Sequence, residues 1–333
     1  MSWWEDIFVK RAQDWTFGQL RGEQVPLEMQ ETQDVIAEKH YLSIDVCSAR
    51  VVNVRKLTTS FYGVVHSFVS LGHQSGQPAS FQTISTPSEL KKIDPKRLDR
   101  VISENIPLLG QVPYRGGRVQ FSLGLFSVKE SDLAGPYLNL LQDIASKAGI
   151  SVVSSALPFV DTIKKGLDNI LGNSDDSILE TGYSTAFTEP VKTGLFVIMR
   201  APAAENVLPK LRLEKDTFRL VGKETGLPLS DYPYIVFRIM RSDQRNDWHS
   251  LPYLMKTYND LQTAVRNRDY DGVEKKFLPA FITAAYMSDD LLFDDGERIG
   301  KLVEERTRKA MGATKVSMVD GEALPPLKSY QLY

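Results

Sequence analysis

The stretch QVPYRGGRVQFSLGLFSVK, residues 111–129, sets two glycines and two arginines ahead of an alternating apolar run that holds a third glycine. Glycine beside arginine is raw material for a phosphate cradle. Such a loop needs Gly-x-x-x-x-Gly-Lys-Ser/Thr followed by a helix, so that backbone N–H groups and the helix N-terminus converge on the anion. Gly110 and Gly116 are present, but Arg118 follows Gly117, and neither Lys nor Ser/Thr stands in place. Beyond the glycines, Val119, Phe121, Leu123 and Leu125 alternate with Gln120, Ser122 and Gly124, the period of a half-buried strand. Tyr114-Arg115-Gly116-Gly117 therefore reads as a turn whose glycines supply positive φ. Arg115 and Arg118 flank it and are expected to contact an anion or an acidic partner.

Nucleophilic catalysis needs a thiol or hydroxyl beside a histidine that a carboxylate orients. The single cysteine, Cys47, shares a predicted strand with Asp45, and His66 lies on a predicted neighbouring strand among Tyr62, Val64 and Phe68. These three are the candidates for a hydrolase assembled by the fold. No Gly-x-Ser-x-Gly elbow supports them.

Metal chemistry has less to work with. His40, His66, His73 and His249 are scattered, with no His-x-x-x-His pair and no second cysteine. In SDDLLFDDGERIG, Asp289, Asp290, Asp294, Asp295 and Glu297 have the charge to hold calcium, yet Leu291 occupies the first ligand position of an EF-hand loop counted from Gly296. The same residues read as a helix start, with Asp294 as N-cap and Glu297 three residues on. No cofactor and no metal is expected.

The last cluster is YIVFRIMRSDQRNDWHSLP, residues 234–252. Ile235, Phe237 and Ile239 define one strand face. Arg238 lies on the other with Tyr234, Val236 and Met240, where it wants a carboxylate. Arg241, Arg245 and Trp248 crowd the strand exit with Asp243, Asp247 and His249. They form either a recognition surface or a salt-bridged joint between two layers.

The elements that must position these groups follow from periodicity. Trp3, Trp4, Ile7, Phe8, Ala12 and Trp15 fall at helical spacing. This stripe suits docking onto this protein or a second copy better than a membrane surface, since Glu5, Asp6 and Asp14 outnumber Lys10 and Arg11. Strands are predicted over YLSIDVCSARVVNV, SFYGVVHSFVSLG, GLFVIMRAP and YPYIVFRIMR, with LRLEKDTFRLVG as a hairpin. SELKKIDPKRLDRVISENI suggests one or two short helices, and a helical insertion is predicted over about 131–172. Beyond Trp248, three apolar stripes predict helices: Leu251 to Val265, Phe277 to Ala285, and Ile299 to Val303. The tail GEALPPLKSYQLY is extended.

The expected fold class is α+β: an antiparallel β-sandwich-like core with a helical insertion and a C-terminal helical layer. The expected divisions are residues 1–39 (N-terminal aromatic helix and linker), 40–248 (sandwich-like domain) and 249–333 (helical region and extended tail). With 40 Lys and Arg against 42 Asp and Glu, the net charge of −2 argues against nucleic acid and anionic membrane as bulk partners. One cysteine excludes an intramolecular disulfide and fits a reducing compartment. No apolar run approaches a membrane span and no signal-peptide pattern opens the chain, so the reading is cytoplasmic. These exclusions favour a non-catalytic interaction or assembly protein, oligomer or scaffold, binding another protein or itself. Trp3, Trp4, Phe8, Trp15, Arg241, Arg245 and Trp248 are its expected contact residues. The alternatives are the Cys47, His66, Asp45 hydrolase and a peripheral membrane protein using the Trp-rich helix.

Overall fold

Period-two alternation of apolar side chains builds two antiparallel sheets that face each other across one core. The computed structural model describes residues 15–52, 55–56, 59–72, 78–84, 101–102, 105–129, 178–316 and 324–330. Within these, the strands are β1 (Thr16–Leu20), β2 (Asp34–Val35), β3 (Tyr41–Arg50), β4 (Arg55–Lys56), β5 (Thr59–Leu71), β6 (Ala79–Ile84), β7 (Val101–Ile102) and β8 (Ile106–Pro113). There follow β9 (Val119–Lys129), β10 (Ile178–Phe187), β11 (Val191–Lys192), β12 (Gly194–Met199), β13 (Leu211–Leu213), β14 (Leu220–Gly222) and β15 (Tyr234–Ser242). The longer helices are α1 (Pro252–Arg266), α2 (Leu278–Tyr286) and α3 (Phe293–Val316).

The first sheet runs β1-β12-β15-β3, and β7 and β8 share the far edge of β3. The second runs β10-β9-β5, with β4 and β6 on the far edge of β5. Their facing sides bury Ile44, Val46, Phe196, Ile235 and Phe237 against Val65, Val69, Phe121, Leu123 and Leu125. Aromatic rings knit the two layers: Phe121 lies 4.8 Å from Phe237, and Phe17 stacks on Tyr183 at 4.6 Å.

The outer face of the first sheet carries a second core. Leu195, Val197, Met199, Tyr234 and Val236 pack under the 201–232 segment, whose β13–β14 hairpin contributes Leu211, Leu213 and Leu220. The hairpin forms where LRLEKDTFRLVG predicts it.

A third core lies among the helices. Leu254, Tyr258 and Leu261 of α1 meet Phe281 and Ala285 of α2 and Ile299 and Val303 of α3. Met255, placed in the α1 stripe by its spacing, is 44% exposed instead, and Ala264 takes the inner position. The tail crosses α1 as a strap, burying Leu324, Leu327 and Tyr330 and ending in the 3-10 turn Leu327–Ser329. The chain is thus an α+β protein with an antiparallel sandwich-like core and a C-terminal helical layer.

Three differences from the sequence reading stand out. Residues 16–20, expected as helix end and linker, are the edge strand of the first sheet, and Trp15 packs partly buried against the sandwich core. Val101–Ile102, expected within a helix, pairs with Ala49–Arg50 as β7. The stretch at 114–118 links strands of different sheets. The helical insertion over about 131–172 lies outside the described residues, as do Trp3, Trp4 and Phe8. No helix among the described residues is long and apolar enough to cross a membrane.

Candidate functional site

The glycine stretch forms an arch from β8 in the first sheet to β9 in the second. Both glycines have positive φ, +92° at Gly116 and +79° at Gly117, as a tight connection requires. The arch does hold an anion, but the acid is the protein's own. The Gly117 N–H donates to Glu189 Oε1 at 2.7 Å, and the Tyr114 hydroxyl lies 2.7 Å from Gly117 O and 3.2 Å from the same carboxylate. Burial, with Glu189 beside it, pushes the Tyr114 phenol well above its ordinary range. Arg115 pairs with Glu38 and donates through Nη2 to Leu291 O at 2.9 Å, so it ties the arch to the helical layer. Arg118 is exposed. Of the two arginines expected to receive an acidic partner, one is already engaged inside the fold.

The exit of β15 is a joint between sandwich and helices, and it is buried. Arg245 is fully inaccessible. Its Nε meets Asp247 Oδ1 at 2.6 Å, its Nη1 donates to Asp290 O at 3.0 Å, and its backbone N–H donates to Asp295 Oδ2 at 3.0 Å. The Tyr41 hydroxyl, from the start of β3, donates to Asp295 Oδ2 at 2.6 Å and accepts from Leu292 N at 2.8 Å. Arg298 Nη2 closes the cluster on Asp295 Oδ1 at 2.5 Å. Burial, reinforced by Asp295, drives the Tyr41 phenol far up.

Arg245 and Trp248, two of the expected contact residues, are both buried in this arrangement. Trp248 belongs to the helical core, and only Arg241 of that trio reaches the surface, where its Nη1 donates to Asp34 O at 2.8 Å. Asp294 is not the N-cap either. Gly296 N bonds Leu292 O at 3.0 Å, so α3 starts at Phe293, two residues before the start that an Asp294 cap implies, and Glu297 pairs with Lys301 instead. Asp290 and Asp295 turn inward. No group of three or more His, Cys, Asp or Glu among the described residues can hold a metal ion.

The three hydrolase candidates do not converge. Cys47 occupies a bulge, where β3 pairing steps from Val46↔Phe237 to Ser48↔Val236, and it joins the core on the outer face of the first sheet. Burial pushes its thiol up to about 12. His66 pairs with Gly124 on the outer face of the second sheet, opposite Val65 and Leu125, which face the sandwich core. Both sheets thus stand between thiol and imidazole. Asp45 lies directly across from Arg238, Oδ2 to Nη2 3.2 Å, and so supplies the carboxylate that Arg238 requires. Burial raises the Asp45 pKa although Arg238 opposes it.

Beside this pair an open cleft of about 520 Å³ is lined by Asp45, Gln111, Arg241, Asn246, Asp247 and His249. It borders both the Asp45–Arg238 pair and the β15 exit. Its two carboxylates are held by Arg238 and Arg245, and the Gln111 amide is engaged by Ser242, Gln244 and Asn246. What it offers a ligand is hydrogen bonding and charge, not an activated nucleophile. Sequence reasoning missed Tyr41 and Glu189, whose partners lie 254 and 72 residues away. No local signal marks either residue. No family model matches the chain, and no curated protein and no solved structure matches it.

Proposed function

We propose that this chain is a non-catalytic structural or assembly protein of the cytoplasm that binds another protein or itself. One observation carries the reading: the acids and bases that a reaction would need are occupied in holding layers together. Asp247, Asp290 and Asp295 surround Arg245, Asp45 meets Arg238, and Glu189 caps the arch. The lone thiol is buried and protonated at neutral pH. Apolar surface supports an interaction role, since Met287 and Phe293 are 80% and 65% exposed at the α2–α3 turn, beside the Tyr286 ring.

Light scattering of the full chain across a concentration series tests the reading, together with capture of partners from its native host. A mass above the 37.5 kDa monomer, or a retained partner, lowered by Phe293→Asp, is expected. A monomer at every concentration that retains nothing overturns it. Hydrolysis abolished by Cys47→Ser or His66→Gln at unchanged melting would install the hydrolase in its place. Pelleting with liposomes, lost on removing Trp3, Trp4 and Phe8, would install the membrane reading.

A further inference from the structure

We infer that His40 is a pH-sensitive latch on the arch that joins the two sheets to the helical layer. His40 is buried, and its Nδ1 accepts the Ile36 N–H at 2.8 Å. A ring nitrogen that accepts a hydrogen bond carries no proton, so the imidazole is neutral with its proton on Nε2, 3.3 Å from Asp243 Oδ1. The bond closes the Ile36–His40 turn, in which Glu38 holds a left-handed φ of +60°. That conformation is disfavoured for a non-glycine residue and persists only where its surroundings hold it.

The same turn grips the arch. Glu38 N donates to Tyr114 O at 2.8 Å, Tyr114 N donates to His40 O at 3.0 Å, and the Glu38 carboxylate pairs with Arg115, which reaches Leu291 O. Protonating Nδ1 replaces an acceptor with a donor facing the Ile36 N–H. The turn then rests on its backbone bonds alone, His40 N to Ile36 O at 3.1 Å and Lys39 N to Ile36 O at 3.3 Å, so its hold on the left-handed Glu38 weakens and the Glu38–Arg115–Leu291 chain loosens.

The charges around the ring set the sense of the switch. Burial, Arg241 and Lys39 disfavour the imidazolium, and Asp243 favours it. Asp34 anchors Arg241 through its carbonyl, and Glu38 and Arg115 pair across the turn. The net result places His40 below the ordinary histidine range. The latch therefore holds fully above about pH 6.5 and releases as pH falls through the lowered value.

Native-state hydrogen exchange on the full chain between pH 7.5 and pH 5, corrected for intrinsic rates, tests the latch. Protection at Ile36, Glu38 and Tyr114 is expected to fall at least tenfold, with the Leu123 amide in the sandwich core unchanged. In His40→Asn the Oδ1 takes the place of Nδ1 without titrating, so the loss should vanish. Unchanged wild-type protection, an equal loss at Leu123, or an equal loss in His40→Asn overturns the proposal. Should that variant fail to fold, nitrogen chemical shifts of wild-type His40 decide alone. A proton on Nδ1 at pH 7.5 refutes the latch, and a bare Nδ1 that gains its proton only on acidification supports it.

Discussion

At the scale of single residues, the arch and the joint fail in different ways when altered. Both arch glycines have positive φ, so Gly116→Val and Gly117→Val each force a β-branched residue into a disfavoured region at about 1–3 kcal/mol. Gly116 should cost more, because a Cβ there would stand 2.9 Å from Glu189 Oε1 and 3.3 Å from Ala37, whereas nothing lies within 4 Å at Gly117. Urea unfolding of the two variants checks the ranking, and equal midpoints would show that sterics add nothing to backbone strain. Arg245→Met takes the guanidinium away from the Asp247 and Asp290 carboxylates and from Asp290 O, while the backbone bond to Asp295 stays, with an expected loss of about 3–5 kcal/mol. Cys47 makes the opposite case. Burial pushes its thiol up to about 12, so the protonated form dominates at pH 8. Alkylation of the native protein should therefore be far slower than of the urea-unfolded chain, and equal rates would reopen the nucleophile reading. Of these residues the sequence marked the glycines, Arg245 and Cys47, because turn chemistry and rarity are local signals. It did not mark Glu189 or Tyr41, whose importance exists only once distant segments meet.

Elements were legible where a period was sustained. Leu42–Cys47 alternates over six positions and Val119–Leu125 over seven, and they fall in β3 and β9 as read, while Tyr234–Ser242, apolar on both faces at its start, forms β15. Thr16–Leu20 has a single large apolar residue before its last position, and its strand character comes from pairing with β12. No local pattern encodes that pairing. Likewise Asp294 has capping spacing to Glu297, but the chain folds Asp295 onto Tyr41 and Arg245, which moves the helix start to Phe293. The α2–α3 contact offers a test in which two effects oppose. Gly296→Ala should stabilise an exposed helix by about 1 kcal/mol. Here a Cβ would stand 2.5 Å from Ala285 O, a backbone atom that cannot swing aside, so net destabilisation is expected. A raised melting temperature would mean the helices can separate freely. The strap depends on α1: Tyr258 OH donates to Pro325 O at 2.7 Å and lies 2.6 Å from Tyr330 OH, and Gln262 Nε2 donates to Leu324 O at 2.7 Å. Tyr258→Phe removes both phenol contacts and should cost about 1–3 kcal/mol, with faster exchange at Leu327–Tyr330 than elsewhere in the helical layer.

The whole molecule follows from how its three cores are joined. The sandwich core and the core under the 201–232 segment share the first sheet, so neither survives loss of β3 or β15. The helical core shares no strand with them, and by composition alone it could melt separately. What binds it is polar: Tyr41 on Asp295, Arg245 across Asp247, Asp290 and Asp295, and Arg115 on Leu291 O. Buried hydrogen bonds to charged groups break only at the cost of leaving unpaired ions in the interior, so the joint resists opening by itself. The sandwich and helical layer are accordingly expected to unfold together. Far-UV circular dichroism at 222 nm follows the helices, and fluorescence in a chain whose only tryptophan is Trp15, with Trp3, Trp4 and Trp248 changed to Phe, follows the sandwich. The two urea transitions should coincide, and Tyr41→Phe, which removes the phenol's bonds to Asp295 and Leu292 without adding a charge, should lower both midpoints equally. A helical signal lost at lower urea than the sandwich signal would show that the helices fold as a separate unit and that the polar joint does not couple them to the sheets.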